Sequence, residues 1–143
     1  MKKIAILFSI LGALASCAPT TIPDEAPPAR EGCGDDHPRV GQSAEFVGRQ
    51  HDVSGSLRVI DNCTLEITNF VYDGGGVDVR AIASPNRDYQ NGIVLSEDLR
   101  RAGGYENESV QLNLPEGVTL DDVQGLSIWC VPFGADFGEA QFE

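Results

Sequence analysis

Short runs in which apolar and polar residues alternate recur down this chain, separated by Gly, Asn, Asp and Pro. Leu57 and Val59 alternate with polar neighbours in the run from Ser56 to Ile60. Cys63, Leu65 and Ile67 alternate with Thr64, Glu66 and Thr68, and the run continues as Asn69-Phe70-Val71-Tyr72. Val77, Val79 and Ala81 open another run, and Val110, Leu112 and Leu114 a further one. A period of two puts successive side chains on opposite faces, the signature of a half-buried strand. Phe46-Val47 begins the series, Ile93 to Leu95 adds a short strand, and Glu139 to Phe142 closes it. Asp61-Asn62, Asp73-Gly-Gly-Gly76 and Pro115-Glu-Gly117 supply turns. Many short strands with frequent turns predict an all-β fold, an antiparallel β-sandwich or barrel-like single domain. One or two short helical turns are expected, at Ser96 to Arg101 and at Leu120 to Gln124, where Thr119 and Asp122 have the spacing of an N-cap box.

The stretch from Gly125 to Gly138, GLSIWCVPFGADFG, is the most distinctive. Leu126, Ile128 and Cys130 alternate with Ser127, Trp129 and Val131, and Trp129 is the single Trp of the chain. Pro132 ends the run, and the pairs Phe133-Gly134 and Phe137-Gly138 follow. Glycine there permits a tight reversal or a close backbone approach, while the phenylalanines can anchor the bend in a core.

The N-terminus reads as a targeting segment. Lys2-Lys3 forms a positive region, Ile4 to Ala13 an apolar one too short to span a bilayer, and Leu14-Ala15-Ser16-Cys17 follows. That tetrapeptide resembles the bacterial lipobox, in which the cysteine is acylated and becomes the first mature residue. The expected division is a lipoprotein signal peptide over 1–16, acylated Cys17 and a Pro-rich tether over 17–41, and a β domain over 42–143. Ala18 after the cysteine points to the outer membrane, facing the periplasm. Acyl chains on Cys17 would hold the protein on the membrane without a transmembrane helix.

Ten basic residues stand against 22 acidic ones. Loss of Lys2 and Lys3 with the signal leaves a side-chain balance of 8 − 22 = −14. That excludes nucleic acid and anionic lipid surfaces as partners, since both need a basic patch. A basic protein or a cation is compatible with the charge, and so is simple solubility.

The inventory of candidate ligands is short. Cys33, Asp35, Asp36 and His37 lie in one polar loop with no second ligand set at a recognised spacing, so no metal site is assigned. The chain has no C-x-x-C-H haem attachment motif. Axial candidates for haem are confined to His37, His51 and the cysteines, and His51 reads as a hydrogen-bonded structural residue at the start of a strand motif. Three cysteines remain after acylation, too few for a four-cysteine iron–sulfur cluster. No catalytic residues are assigned.

Three thiols in an oxidising compartment leave three pairings open, with one sulfur over. Cys63 shares the apolar face of Leu65 and Ile67, and Cys130 that of Leu126 and Ile128. A Cys63–Cys130 disulfide is therefore the expected bond. Cys33, if free, is expected to be the more reactive thiol, exposed in a polar loop.

The ordered set His51-x-Val-Ser-Gly55, Ile60-Asp61-x-Cys63-Thr-Leu65, Asn69-Phe70-x-Tyr72-Asp73-Gly74, Leu112-x-Leu114-Pro115, Leu120-x-Asp122-Val123 and Ser127-x-Trp129-Cys130, with Phe133 and Phe137-Gly138, resembles the DM-thirteen or electron transfer DM domain. The resemblance covers roughly Phe46 to Phe142. It implies an all-β domain with a redox role centred on Cys130, acting as a bare thiol or as a ligand to a prosthetic group such as haem. Cys63 would then be the second redox or disulfide residue, with Trp129, His51 and Asp73 as candidate supporting residues and a redox protein as partner. Many members lack a cysteine matching Cys63, and a bond to Cys130 would block the bare-thiol role. The alternative is a non-catalytic envelope module that binds a protein or a sugar and keeps its cysteines as a structural disulfide.

Overall fold

A computed structural model describes residues 32–143. The signal segment, Cys17 and the chain from Ala18 to Glu31 lie outside the described residues. Nine strands follow in order: β1 (Ser43–Glu45), β2 (Val47–Gly48), β3 (Ser54–Asp61), β4 (Thr64–Tyr72), β5 (Val79–Ser84), β6 (Ile93–Val94), β7 (Tyr105–Asn113), β8 (Gly125–Cys130) and β9 (Ala135–Gln141). They form two antiparallel sheets, β1-β3-β4-β7 and β2-β9-β8-β5-β6. The sheets pack face to face as a β-sandwich.

The period-two pattern explains the core. Leu57 and Val59 from β3, Leu65 and Ile67 from β4, and Leu112 from β7 meet Ala81, Ala83, Leu126 and Ile128 of the other sheet, and all are buried. In β4 the alternation changes phase between Ile67 and Phe70. Asn69 has a positive φ and the register with β7 shifts there, so one extra residue keeps Phe70 and Tyr72 on the core face. Without that bulge the two rings would turn to solvent. In β8 the alternation is not the whole story, because Ser127 is as buried as Leu126 and Ile128.

Several local expectations are corrected. Phe46-Val47 does not make one first strand: β1 and β2 flank Phe46 and join different sheets. Among the described residues the one helical element is a single 3-10 turn, Leu120–Asp122, where Asp122 Oδ2 accepts the Thr119 N–H and the Asp122 N–H donates to the Thr119 carbonyl. Ser96 to Arg101 forms no helix. Its residues run beside β5 instead: Ser96 Oγ and Asp98 Oδ1 accept the backbone N–H groups of Ala81 and Val79. Phe133 does not anchor the bend. It is 74% exposed, while Phe137 is buried. The two glycines act as the stretch implied: Gly134 takes φ +57° in the reversal, and a Cβ on Gly138 would lie 2.6 Å from Val53 Cγ1.

The segment before β1 is fastened to the domain. Cys33 is bonded to Cys63, with Cα atoms 5.2 Å apart. His37 Nδ1 accepts the Arg39 N–H, which leaves Nε2 to donate to Asp121 at 3.3 Å. Arg39 donates to the carbonyls of Leu120 and Val123 and to Gln124 Oε1.

Candidate functional site

The Cys63–Cys130 disulfide is overturned: Cys63 pairs with Cys33, and Cys130 is free and buried. Cys63 is not on the core face of β4. Asn62 and Cys63 form the tight turn between β3 and β4, so the sulfur sits at the tip of a hairpin. Cys130 ends β8 at the far end of the sandwich, where it pairs with Val79 and Ala135. Phe137, two residues beyond Ala135, meets Tyr72 with ring centroids 6.5 Å apart. Cys63 and Tyr72 thus stand at opposite ends of β4, separated by roughly 30 Å at the usual rise per strand residue. No disulfide reaches across that distance. The same bond answers the expectation of a reactive Cys33, whose sulfur is no longer a thiol.

Cys130 is 1% exposed, and its Sγ–H donates to the Val77 carbonyl at 3.1 Å. Beside it lies a cluster of rings. Tyr72 stacks on Tyr105 at 6.0 Å and donates its hydroxyl to the Gly75 carbonyl. Burial pushes the Tyr72 phenol well above its ordinary pKa; the charges of Asp73 and Asp98 add to that, Arg100 opposes it, and Cys130 contributes a smaller upward push. Arg101 covers the outer face of Tyr105, its guanidinium carbon 3.7 Å from the ring centroid.

His51 and Asp73 meet at this end. Sequence placed His51 at the start of a strand. It lies instead in a turn, with His51 and Asp52 both at positive φ. Its ring packs on Phe137 at 4.1 Å, and Nδ1 lies 2.9 Å from Asp73 Oδ2. Burial raises the Asp73 pKa, but the Gly75 N–H and the His51 contact outweigh it and hold the carboxyl below its usual value. His51 and Asp73 are therefore brought together, on the ring cluster that adjoins Cys130.

Trp129 points the other way, to the outer face of the second sheet, and meets Tyr89 at 5.9 Å. That face holds a polar cluster that sequence reasoning missed. Glu139 is 5% exposed. It accepts from Arg49 Nη2 at 2.6 Å, Arg87 Nη2 at 2.5 Å and the Tyr89 hydroxyl at 3.0 Å. Arg49 also donates to Asp136, which accepts from Ser127 Oγ. Burial alone would raise the Glu139 pKa, and the donors from Arg87, Tyr89 and Arg49 more than reverse it. The signal was present in Tyr89, an aromatic residue inside an otherwise polar loop, though nothing local pairs it with a strand 50 residues on.

Haem does not fit these residues. The Cys130 sulfur is buried and engaged with Val77. The concavities at this end are lined by Gly48 to Val53 and by Asp73 to Gly76 with Arg100 to Gly103, and Cys130 lines neither. His51 is held by Asp73 through Nδ1 and packs on Phe137 with the two rings tilted by 40°. Among the described residues no group of three or more His, Cys, Asp or Glu is placed to hold a metal ion.

Fold and site define a β-sandwich domain with one disulfide at one end and one reduced core thiol among aromatic rings at the other. The chain belongs to the Electron transfer DM13 family, whose model matches residues 45–142. It is 32% identical to the protein Skeletor, isoforms B/C, of Drosophila melanogaster over 147 aligned residues, covering 96% of this chain and 17% of that protein. It is 29% identical over 112 residues to a cytochrome b561, DM13 and DOMON domain-containing protein of Arabidopsis thaliana, covering 76% of this chain and 12% of the relative. The chain thus spans less than a fifth of either relative. No solved structure matches it.

Proposed function

We propose that this is a redox accessory domain of the cell envelope, with Cys130 as its redox centre and a redox protein as its partner. Acyl groups on Cys17 would hold it on the outer membrane, facing the periplasm, with the chain from Ala18 to Glu31 as the tether. The observation that carries the reading is the state of the sulfurs. Cys33 and Cys63 are consumed by each other, which leaves Cys130 as the one thiol among the described residues. It is buried in the core, hydrogen-bonded to the Val77 carbonyl, at the end of the sandwich where Tyr72 meets Tyr105 and Phe137. Membership in an electron-transfer family supports the reading, as does the Arabidopsis relative whose name joins this domain to a cytochrome b561. The role of Cys130 does not depend on haem, because its sulfur is buried and engaged with the Val77 carbonyl.

The test is a redox titration of the purified domain, with absorption and thiol content followed together. A titratable event is expected that is lost in Cys130→Ala and kept in the double variant Cys33→Ser/Cys63→Ser. No event within envelope potentials would leave the other reading, an envelope binding module with inert sulfurs. The same burial of Cys130 supports that alternative, because small buried cysteines often serve as core residues.

A further inference from the structure

The turn between β8 and β9 is made of Val131, Pro132, Phe133 and Gly134, and all four are exposed. Turns at a sandwich end are ordinarily polar. This one presents Val131 at 40% and Phe133 at 74% exposure, and Val77 at 46% lies on the adjoining segment. The two segments are bonded to each other. Val131 N–H donates to the Asp78 carbonyl at 3.0 Å, and Cys130 Sγ–H donates to the Val77 carbonyl. The apolar tip is thus the outer surface of the backbone that covers the thiol. Scattered exposed apolar residues are ordinary, whereas Val77 and Val131 lie on bonded neighbouring segments with Phe133 two residues further on.

Charge decides what can cover it. The chain carries 22 acidic and 10 basic residues, and its only lysines are Lys2 and Lys3. Among the described residues Arg49, Arg80, Arg87, Arg100 and Arg101 are already in ion pairs with carboxylates of the same chain. Arg39 is spent on carbonyls and Gln124, and Arg58 lies on the other sheet, in β3. What remains for a partner is acidic. Next to the tip, Gln90 approaches the Cβ position of Gly134 to 3.2 Å, so the loop carrying Asp88 borders the patch. A second copy would bring the same negative charge and be repelled, and an anionic membrane likewise.

We propose that the Val77–Val131–Phe133 tip is the docking surface for a basic protein partner, which receives Phe133 in an apolar notch and lies directly over Cys130. The proposal rests on the redox reading above for the identity of the buried group, but its surface claim can fail alone. Apolar contact at the centre with charge attraction around it is the usual anatomy of a transient interface.

The test uses the ¹⁵N-labelled domain with oxidised cytochrome c as the probe, a basic one-electron acceptor. Amide shifts are expected at Val77, Asp78 and Val131 to Gly134. Affinity should fall at least tenfold in Phe133→Asp and less in Phe133→Ser, and decline steeply with salt. Both variants should keep the wild-type melting temperature, because the ring is exposed. Absence of binding, shifts centred instead on β7, or equal affinity of the wild type and Phe133→Asp would overturn the proposal. So would a Phe133-dependent dimer in sedimentation, or Phe133-dependent binding to phosphatidylcholine vesicles. The Cys130 redox event is read on the domain alone, with a chemical mediator as the electron acceptor, so its loss would sink the redox reading and leave the docking result standing by itself.

Discussion

At one end of the sandwich Cys33 and Cys63 are joined across 30 residues, at the tip of a hairpin and beside a polar segment. At the other end Cys130 is a thiol, 1% exposed, held to the Val77 carbonyl and flanked by rings. Both ends belong to one small domain and meet one redox environment, so the difference is made locally. The disulfide joins two chain segments otherwise held by polar contacts: Asn62 to Gly34 and Asp36, His37 to Asp121, and Arg39 to the 3-10 turn. The thiol end is held by strand pairing and apolar packing, and among the described residues no second sulfur pairs with Cys130. Oxidation at the first end stabilises the fold; at the second, burial keeps the Cys130 thiol from water and, among the described residues, from other sulfurs.

Removing the bond should have the largest effect. The double variant Cys33→Ser/Cys63→Ser frees a loop of 30 residues, and chain-entropy arguments give a loss of about 3–4 kcal/mol. Urea unfolding measures it. A loss well under 1 kcal/mol would mean that the contacts of Arg39 and His37 hold the segment without the bond. The effect should be confined to stability, with the Cys130 redox event unchanged.

A smaller loss is expected at the other end. Cys130→Ala removes one buried sulfur and its weak hydrogen bond, and should cost about 1–2 kcal/mol. If it cost nothing, Cys130 would not be packed as described. A loss larger than that of the disulfide would reverse the comparison.

The mildest expectation concerns acid. Asp98 accepts from Arg100 and from the backbone N–H groups of Arg100 and Val79, the residue paired with Cys130 in β5. Those bonds, led by the Arg100 side chain, hold its carboxyl well below its ordinary value of 3.8 despite some opposing desolvation. A depressed folded pKa gives stability that is fully present above the unfolded value and is lost as pH falls through the folded one. Stability should therefore decline as pH drops below about 4, and Asp98→Asn should flatten that decline. An unchanged acid limb in the variant would remove Asp98 from the account of this end.

The two ends were unequally legible in the sequence. The alternation of Leu126, Ile128 and Cys130 marked a core strand, and Cys130 is in it. Asp73 and His51 were named from the family pattern, and the structure brings them together across a turn. The disulfide end misled for physical reasons. Cys63 continues the alternation of Leu65 and Ile67, but the turn that begins at Asn62 takes it out of the strand. Cys33 sits in a polar stretch with no apolar periodicity, and its segment is held by Leu120, Asp121, Val123 and Gln124, more than 80 residues away. Phe133 misled in the opposite direction, since an aromatic residue in a turn reads as an anchor and this one is exposed. Glu139 was read as the start of a final strand, whereas its burial depends on Arg49, Arg87 and Tyr89 from two distant loops.

Thiol mapping tests the central contrast most directly. Native protein is treated with an alkylating reagent, then unfolded without reductant, treated with a second reagent and digested. The expected result is a Cys33–Cys63 linked peptide, with Cys130 carrying only the second reagent. A Cys63–Cys130 or Cys33–Cys130 peptide, or Cys130 fully labelled before unfolding, would contradict it.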